Sequence, residues 1–427
     1  MMTFLKSILQ QYKNIVCNSF FLSIVDGVRL LLPFVAMPYI IRVCGVENYG
    51  KIIFAQTVMT YFYIVVNFGL HIFSVREVAG NVHNPAMLSK IASNLIALRL
   101  LLTALSFIAL IIMIAAIPFM QQFRVLLLLA FISVLAEAFN MTPFFQGLEK
   151  MHNIAILQFA AALFYLSTLC IFVRNTADYP LVVLLQSSGL LVSAILGVGL
   201  LCVKCKIRLQ LPQWHDLKNM LAGSAPFAVS RISTIINNNI SRLFAGISLG
   251  MHELALVDLA QKISDTALIP AGIVDQAIYP HNAKKQDRAF ATRTFYLIII
   301  FGAISAAVMI AGAPLAVNFL GSGKLNDAVP LIYWLGIKVF FSTPGWYMGT
   351  SVLVAFGYAR QFNMYAIYST AINLSIYTIL FLCNKLTLNA VIAIMIFESI
   401  FAIIYEMYYC RKYNLLYITR RNVDNKN

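Results

Sequence analysis

Apolar stretches of about 20 residues follow one another almost end to end in this chain, the length a span needs to cross the hydrocarbon layer of a bilayer. Of its 427 residues, 61% are hydrophobic and 11% charged, against about 25% charged in soluble domains. A water-soluble core stops growing near ~250–300 residues, so the surplus apolar surface must face lipid. Hydropathy predicts spans near 20–41, 52–73, 92–117, 125–145, 154–173 and 181–203. A basic stretch, 204–218, follows, and then spans near 226–249, 254–279, 295–320, 329–356, 364–382 and 388–409. Lys6 and Lys13 precede an apolar run too long for a signal peptide, which is read as a retained first span.

Loop charges orient these spans. Of the 31 basic residues, nineteen fall at the two termini and on the alternate loops that share their side, and six on the opposite loops. The positive-inside rule then places both termini in the cytoplasm. The formal net charge of +15 follows from this topology and does not call for nucleic acid. The seven cysteines are scattered. Cys202 and Cys205 form one CxxC without the second pair or histidines that zinc would need, so no metal is expected.

The two sets of six spans look like a duplication. Gly45-Val46-Glu47 and Ala55-Gln56 recur as Gly250-Met251-His252 and Ala260-Gln261, both at offset 205. Gly147 and Asn153 recur as Gly357 and Asn363 at offset 210. The expected fold is therefore all-α, with about twelve transmembrane helices in two six-helix bundles around a central cavity. Residues 1–203 form the first bundle, 204–222 a cytoplasmic linker, and 223–427 the second bundle with a basic tail.

A charge at mid-bilayer costs at least ~2.5–3.5 kcal/mol and marks a functional site by default. Six basic residues lie within the spans: Arg29, Arg99, Arg231, Arg242, Lys262 and Lys338. Arg99 is expected to snorkel to the cytoplasmic face. Asp26 and Arg29 share a helix face, as do Asp258, Lys262 and Asp265. These can pair locally. Arg231 and Arg242 share a face about 16 Å apart along the helix, with no acid within a turn of either on that span. Lys338 also lacks a local partner. Unpaired cations suit an anionic cargo, and arginine suits phosphate because its planar fork binds two oxygens at once.

Several loop sequences resemble one family. Pro38-Tyr39-Ile40-Ile41-Arg42-Val43-Cys44-Gly45-Val46-Glu47-Asn48-Tyr49-Gly50 resembles the first outer loop of Wzx-type flippases, polysaccharide transporters of the multidrug/oligosaccharidyl-lipid/polysaccharide superfamily. Ser74-Val75-Arg76-Glu77-Val78-Ala79 is similar to their next cytoplasmic loop, and Pro143-Phe144-Phe145-Gln146-Gly147-Leu148-Glu149-Lys150-Met151 to their fourth-span motif. Cys44 stands where Leu is usual in that family. The resemblance implies movement of an undecaprenyl-diphosphate-linked oligosaccharide, of O-antigen or capsule type, across the inner membrane. It also implies a polysaccharide polymerase and a chain-length regulator as partners.

On this reading Arg29, Arg231, Arg242, Lys262 and Lys338 attract the diphosphate, and the two halves rock in alternating access. Asn237, Asn238 and Asn239 hydrogen-bond sugar hydroxyls or, alternatively, neighbouring helices. Asp26, Asp258 and Asp265 are candidates for coupling to H+ or Na+. No nucleotide motor or other cofactor is expected: near Gly323-Lys324 the Walker pattern fails, with Asn318 at its first glycine and Leu325 at its Ser/Thr position. The outer loops are too short to carry an enzyme's site, which counts against a polymerase. The alternative is a drug or cation antiporter of the same superfamily, which would want an acidic or aromatic cavity.

Overall fold

A computed structural model describes residues 30–417 together with Phe21, Ile24, Val25, Gly27 and Val28, and it is all-helical, with no strand among the described residues. Lipid offers no partner for backbone N–H and C=O groups, so a spanning segment must satisfy them within a helix. The first half comprises α1 (Leu30–Cys44), α2 (Val46–Asn67), α3 (Leu70–Gly80), α4 (Pro85–Ala116), the short α5 (Pro118–Gln121), α6 (Arg124–Ala138), α7 (Thr142–Gly147), α8 (Met151–Phe172) and α9 (Tyr179–Lys204). The second comprises α10 (Trp214–Ser248), α11 (Met251–Lys285), α12 (Arg288–Leu320), α13 (Ala328–Tyr347) with a π-helical continuation (Met348–Val354), α14 (Ala359–Leu382) and α15 (Leu388–Lys412).

Pairs α2–α3 and α6–α7 are broken spans, so these elements make twelve passes. Eight passes are long and apolar enough to cross a membrane by length and composition alone. The others are the shorter α1, the more polar α10 and α11, and the 20-residue α13. Large side chains facing outward on α12, Leu297, Ile300, Ile304, Val308, Leu315 and Phe319, form the stripe that lipid would cover.

By contacts the chain divides into Met1–Ile232 and Ser233–Asn427, so α10 begins in one unit and ends in the other. In the first unit α6 lies against α2, α4 and α9, and α3 pairs with α7. Leu70, Leu95, Phe144 and Phe145 are buried in its core. In the second, α13 lies against α11, α12 and α15, over a core that includes Phe295, Tyr347, Val352 and Cys410.

The duplication is visible in backbone detail. Each half joins its first two passes through a glycine at positive φ, Gly45 at 85° and Gly250 at 116°, a conformation that glycine adopts without steric penalty. The turn before the fifth pass is also shared, but at offset 208. Lys150 N–H bonds Phe145 O and Tyr358 N–H bonds Leu353 O, both at 2.8 Å. The residues at positive φ inside those turns are Glu149 and Gly357. The sequence match of Gly147 to Gly357 is therefore out of register by two residues, because Glu149 holds the left-handed position without being glycine.

Both halves also end alike. Lys206 and Asn414 adopt φ of 54° and 52° just past the sixth and twelfth passes. The chain then extends back along the third pass of its own half. Arg208 N–H donates to Ser89 Oγ at 3.1 Å and Gln210 N–H to Ser93 Oγ at 2.8 Å. Correspondingly, Tyr417 N–H donates to Thr292 Oγ1 at 2.9 Å. Ser89 and Thr292 each donate in turn to the carbonyl four residues earlier. At the other end of the first unit, Tyr39 Oη donates to Val173 O at 2.8 Å and Asn48 Nδ2 to Thr176 O at 3.1 Å. Alternate loops thus gather at opposite ends of that unit, as a six-pass topology requires.

Candidate charged site within the membrane

In the second unit the polar stripe of α11 meets cations from two other helices. Asp258 is almost fully buried and shared: Oδ1 holds Arg242 Nε of α10 at 2.9 Å, and Oδ2 holds Lys262 Nζ, one turn along α11, at 2.7 Å. The third member of the stripe, Asp265, holds Lys338 Nζ of α13 at 3.2 Å. The cations are more open than the carboxylate between them, with Arg242 17% and Lys262 24% exposed against 2% for Asp258. Three cations therefore share two aspartates. Arg242 and Lys338 are not the unpartnered charges that their own helices suggest; α11 supplies both partners. Asp258 and Asp265 in turn are already occupied.

Beside this stripe lies an amide cluster. Asn237 Nδ2 donates to the Glu398 carboxylate of α15 and to Ser369 Oγ of α14 at 3.2 Å. Its Oδ1 accepts from Asn373 Nδ2 of α14 at 2.6 Å. Asn238 offers its backbone carbonyl to Gln261 Nε2 of α11 at 3.0 Å. Asn239 Nδ2 donates to Ile235 O at 2.9 Å, while its Oδ1 receives a long 3.5 Å contact from Arg242 Nη1. Asn237 and Asn239 are thus engaged through their side chains, and Asn238, an exposed residue, through its backbone carbonyl. Glu398 is an acid inside the span at 388–409, but its amide partners leave no signal in the sequence, since they come from other helices.

The first unit holds a different arrangement. Arg99 does not snorkel: its side chain is 0% exposed and forms an ion pair with Glu137 at 3.3 Å. Nη1 donates to the carbonyl oxygens of Glu137 (3.2 Å) and Asn140 (2.7 Å), where α6 gives way to α7. Nη2 donates to Oδ1 of Asn67, the last residue of α2, at 2.8 Å. Asn67 and Asn140 each donate back to the Glu137 carboxylate at 2.9 Å. One guanidinium thus serves both helix breaks, where interrupted ladders leave carbonyls to be satisfied. Snorkelling is unavailable to it because α2, α4 and α6 close around it. Arg231 is exposed and has no ion pair or hydrogen bond among the described residues. Asp26 and Arg29 lie outside the described residues.

Comparison with known proteins places the chain in a family. Residues 15–286 match the polysaccharide biosynthesis protein family. A protein of Escherichia coli (strain K12) bearing the name "Putative O-antigen transporter" is 22% identical over 353 residues, covering 81% of this chain and 85% of that protein. A Shigella dysenteriae protein of the same name is 26% identical over 316 residues, covering 71% and 77%. The fold is similar to that of a multidrug resistance MATE family transporter of the MOP superfamily, whose structure is described as inward-facing, at 16% identity with a TM-score of 0.70 over 90% of this chain and 95% of the other. It is shared by a MOP superfamily transporter from Pyrococcus furiosus, at 17% identity with a TM-score of 0.58 over 94% and 96%. The Wzx-type resemblance in the loops and the multi-pass helical fold agree, and the chain belongs to the polysaccharide biosynthesis protein family.

Proposed function

We propose that this chain is a flippase that moves undecaprenyl-diphosphate-linked oligosaccharide repeat units, of O-antigen or capsule type, from the cytoplasmic to the periplasmic leaflet of the inner membrane. The carrying observation is the sharing of Asp258 between Arg242 and Lys262. Two cations on one carboxylate leave a positive charge for an anion, and a diphosphate can answer it with several oxygens. The two cations are partly exposed, while the buried Asp258 holds them in place. The hydrogen-bonding groups around Asn237 and Glu398 suit sugar hydroxyls, which accept and donate. Family membership and the names of the relatives support the same cargo class. Alternating access of the two halves, driven by an ion gradient, fits a chain whose sequence encodes no nucleotide motor. Both termini are then cytoplasmic, by the distribution of loop charge.

Complementation tests this. A deletion strain is supplied with wild type, Arg242→Ala or Arg231→Ala at equal expression, and surface polysaccharide and cytoplasmic lipid-linked repeat unit are measured. Wild type is expected to restore polymer, and Arg242→Ala to trap the intermediate inside. Intact polysaccharide in the deletion strain, with raised sensitivity to cationic drugs, would transfer the assignment to a drug or cation antiporter.

A further inference from the structure

Asp258 and Asp265 already hold cations, so a coupling ion needs a different carboxylate, and α15 carries one in an unusual setting. Glu406 is 2% exposed. It has no hydrogen bond or ion pair among the described residues, and its Oε2 is fully enclosed without a partner. It lies where α13 passes into the π-helical segment, against two glycines. A Cβ at Gly349 would stand 2.5 Å from Glu406 Oε1, and one at Gly345 would stand 3.3 Å from Oε2. The ring of Phe362 closes the same spot, 2.6 Å from that Gly349 position. Thus the residue types at 345 and 349 make the slot in which this carboxyl sits. π-helical turns inside α-helices are frequent at functional sites, because the extra residue loosens the hydrogen-bond ladder.

We propose that Glu406 is a proton-binding site of this transporter, loaded and emptied as the π-helical segment of the tenth span moves. A bare carboxylate buried without a partner is strongly disfavoured, so this position calls for a cation. An alkali ion needs a shell of oxygens, and here the neighbours are glycines and a phenyl ring. A proton needs one oxygen. Loading forms an O–H bond on the Glu406 carboxyl; release breaks it, leaves a carboxylate and passes the proton to water. Glu406 lies six residues before Lys412, where α15 ends, about 9 Å along the helix. Water on that side is cytoplasmic if the loop charges orient the chain as proposed above. The titratable groups in electrostatic reach are Tyr365 of α14 and Tyr405 and Cys410 of α15. From α11, Asp275 faces the other flank of the π-helical segment, where Thr350 donates to it. α13 contributes glycines and no charge at this point.

Use of the proton to drive cargo rests on the flippase reading; the site itself does not. The test therefore uses purified full-length protein in nanodiscs without cargo. Infrared difference spectra are recorded across a pH jump, together with fluorescence of Trp346, next to Gly345, in a Trp214→Phe, Trp334→Phe background. Wild type is expected to show a titrating protonated-carboxyl band and a matching Trp346 shift. Glu406→Gln, which keeps the shape of the neutral acid, is expected to lose both, and Glu406→Asp to restore the band at a changed pH midpoint. Persistence of the band and the Trp346 shift in Glu406→Gln would overturn the proposal, whether or not Asp275→Asn removes them. So would the absence of any titrating band in wild type. Neither result bears on the cargo, and failed complementation by Arg242→Ala leaves this site untouched.

Discussion

Arg99 and Glu137 meet at 3.3 Å with exposures of 0% and 5%, at the one place where the broken ends of α2 and α6 come together. Breaking a buried pair by removing one partner costs about 3–5 kcal/mol, because the other charge stays buried. Arg99→Met or Glu137→Leu alone should sharply lower the melting temperature of the purified protein in detergent. The double variant should recover part of the loss. A double variant no more stable than the singles would mean that Arg99 acts through the Asn67 and Asn140 carbonyl and amide contacts rather than through charge.

Asp258 and Lys262 make a sharper contrast. Asp258→Asn leaves Arg242 and Lys262 without their shared anion, whereas Lys262→Met leaves a neutral Arg242–Asp258 pair. Asp258→Asn should therefore destabilise by about 3–5 kcal/mol and Lys262→Met by about 1 kcal/mol or less. Thermal melts of the two variants side by side decide this. Equal losses would show that Lys262 carries more of the pairing than its geometry indicates.

The number of passes was legible because apolar length is a local property, and the basic loops between them kept count. The breaks were not. Hydropathy runs straight through Phe68–Gly69 and through 139–141, so the first residues of α3 and α7 read as the ends of the spans before them, and the rest of each, 74–80 and 146–147, reads as loop where the structure has helix. The π-helical segment is apolar and reads as ordinary helix. Periodicity correctly put Asp258, Lys262 and Asp265 on one face, but it could not say that Arg242 and Lys338 would meet that face, since pairing across helices leaves no spacing signal. Glu406 escaped notice for a related reason. Near the basic end of the last span it resembles an interfacial acid, and only the glycines of another helix reveal that it is enclosed.

Gly69 tests how firmly the break between α2 and α3 is built. Its φ is 72°, and an added Cβ would collide with the Ser224 carbonyl and stand 2.9 Å from Ala228 N. Backbone cannot yield as a flexible side chain can. Gly69→Ala should cost about 3 kcal/mol or more, through overpacking together with a strained left-handed residue. Gly80 is the control, since nothing lies within 4 Å of its Cβ position inside α3. Gly80→Ala should be neutral or stabilise by about 0.5–1 kcal/mol. Folded yield and melting temperature distinguish them.

Ser89 and Thr292 accept backbone N–H groups from the extended segments that close each half. Ser89→Ala and Thr292→Val should each cost about 1–3 kcal/mol by leaving those donors unsatisfied. The local signature is faster amide exchange at Arg208 for the first and at Tyr417 for the second, each confined to its own half. Unchanged exchange would show that burial of Ile207 and Leu415 holds the segments without the hydroxyls.

That pairing of segments changes the meaning of the chain that joins the halves. In hydropathy it is a connector between two bundles. In its hydrogen bonds it repeats the stretch after the twelfth span, folding back on the half that precedes it. A gene split between Gln210 and Trp214 should part the segment ending at Gln210 from Leu217 and Met220, which share its buried core, so the first polypeptide is expected to close only when the second is coexpressed, and the seam of the duplication can be sought there.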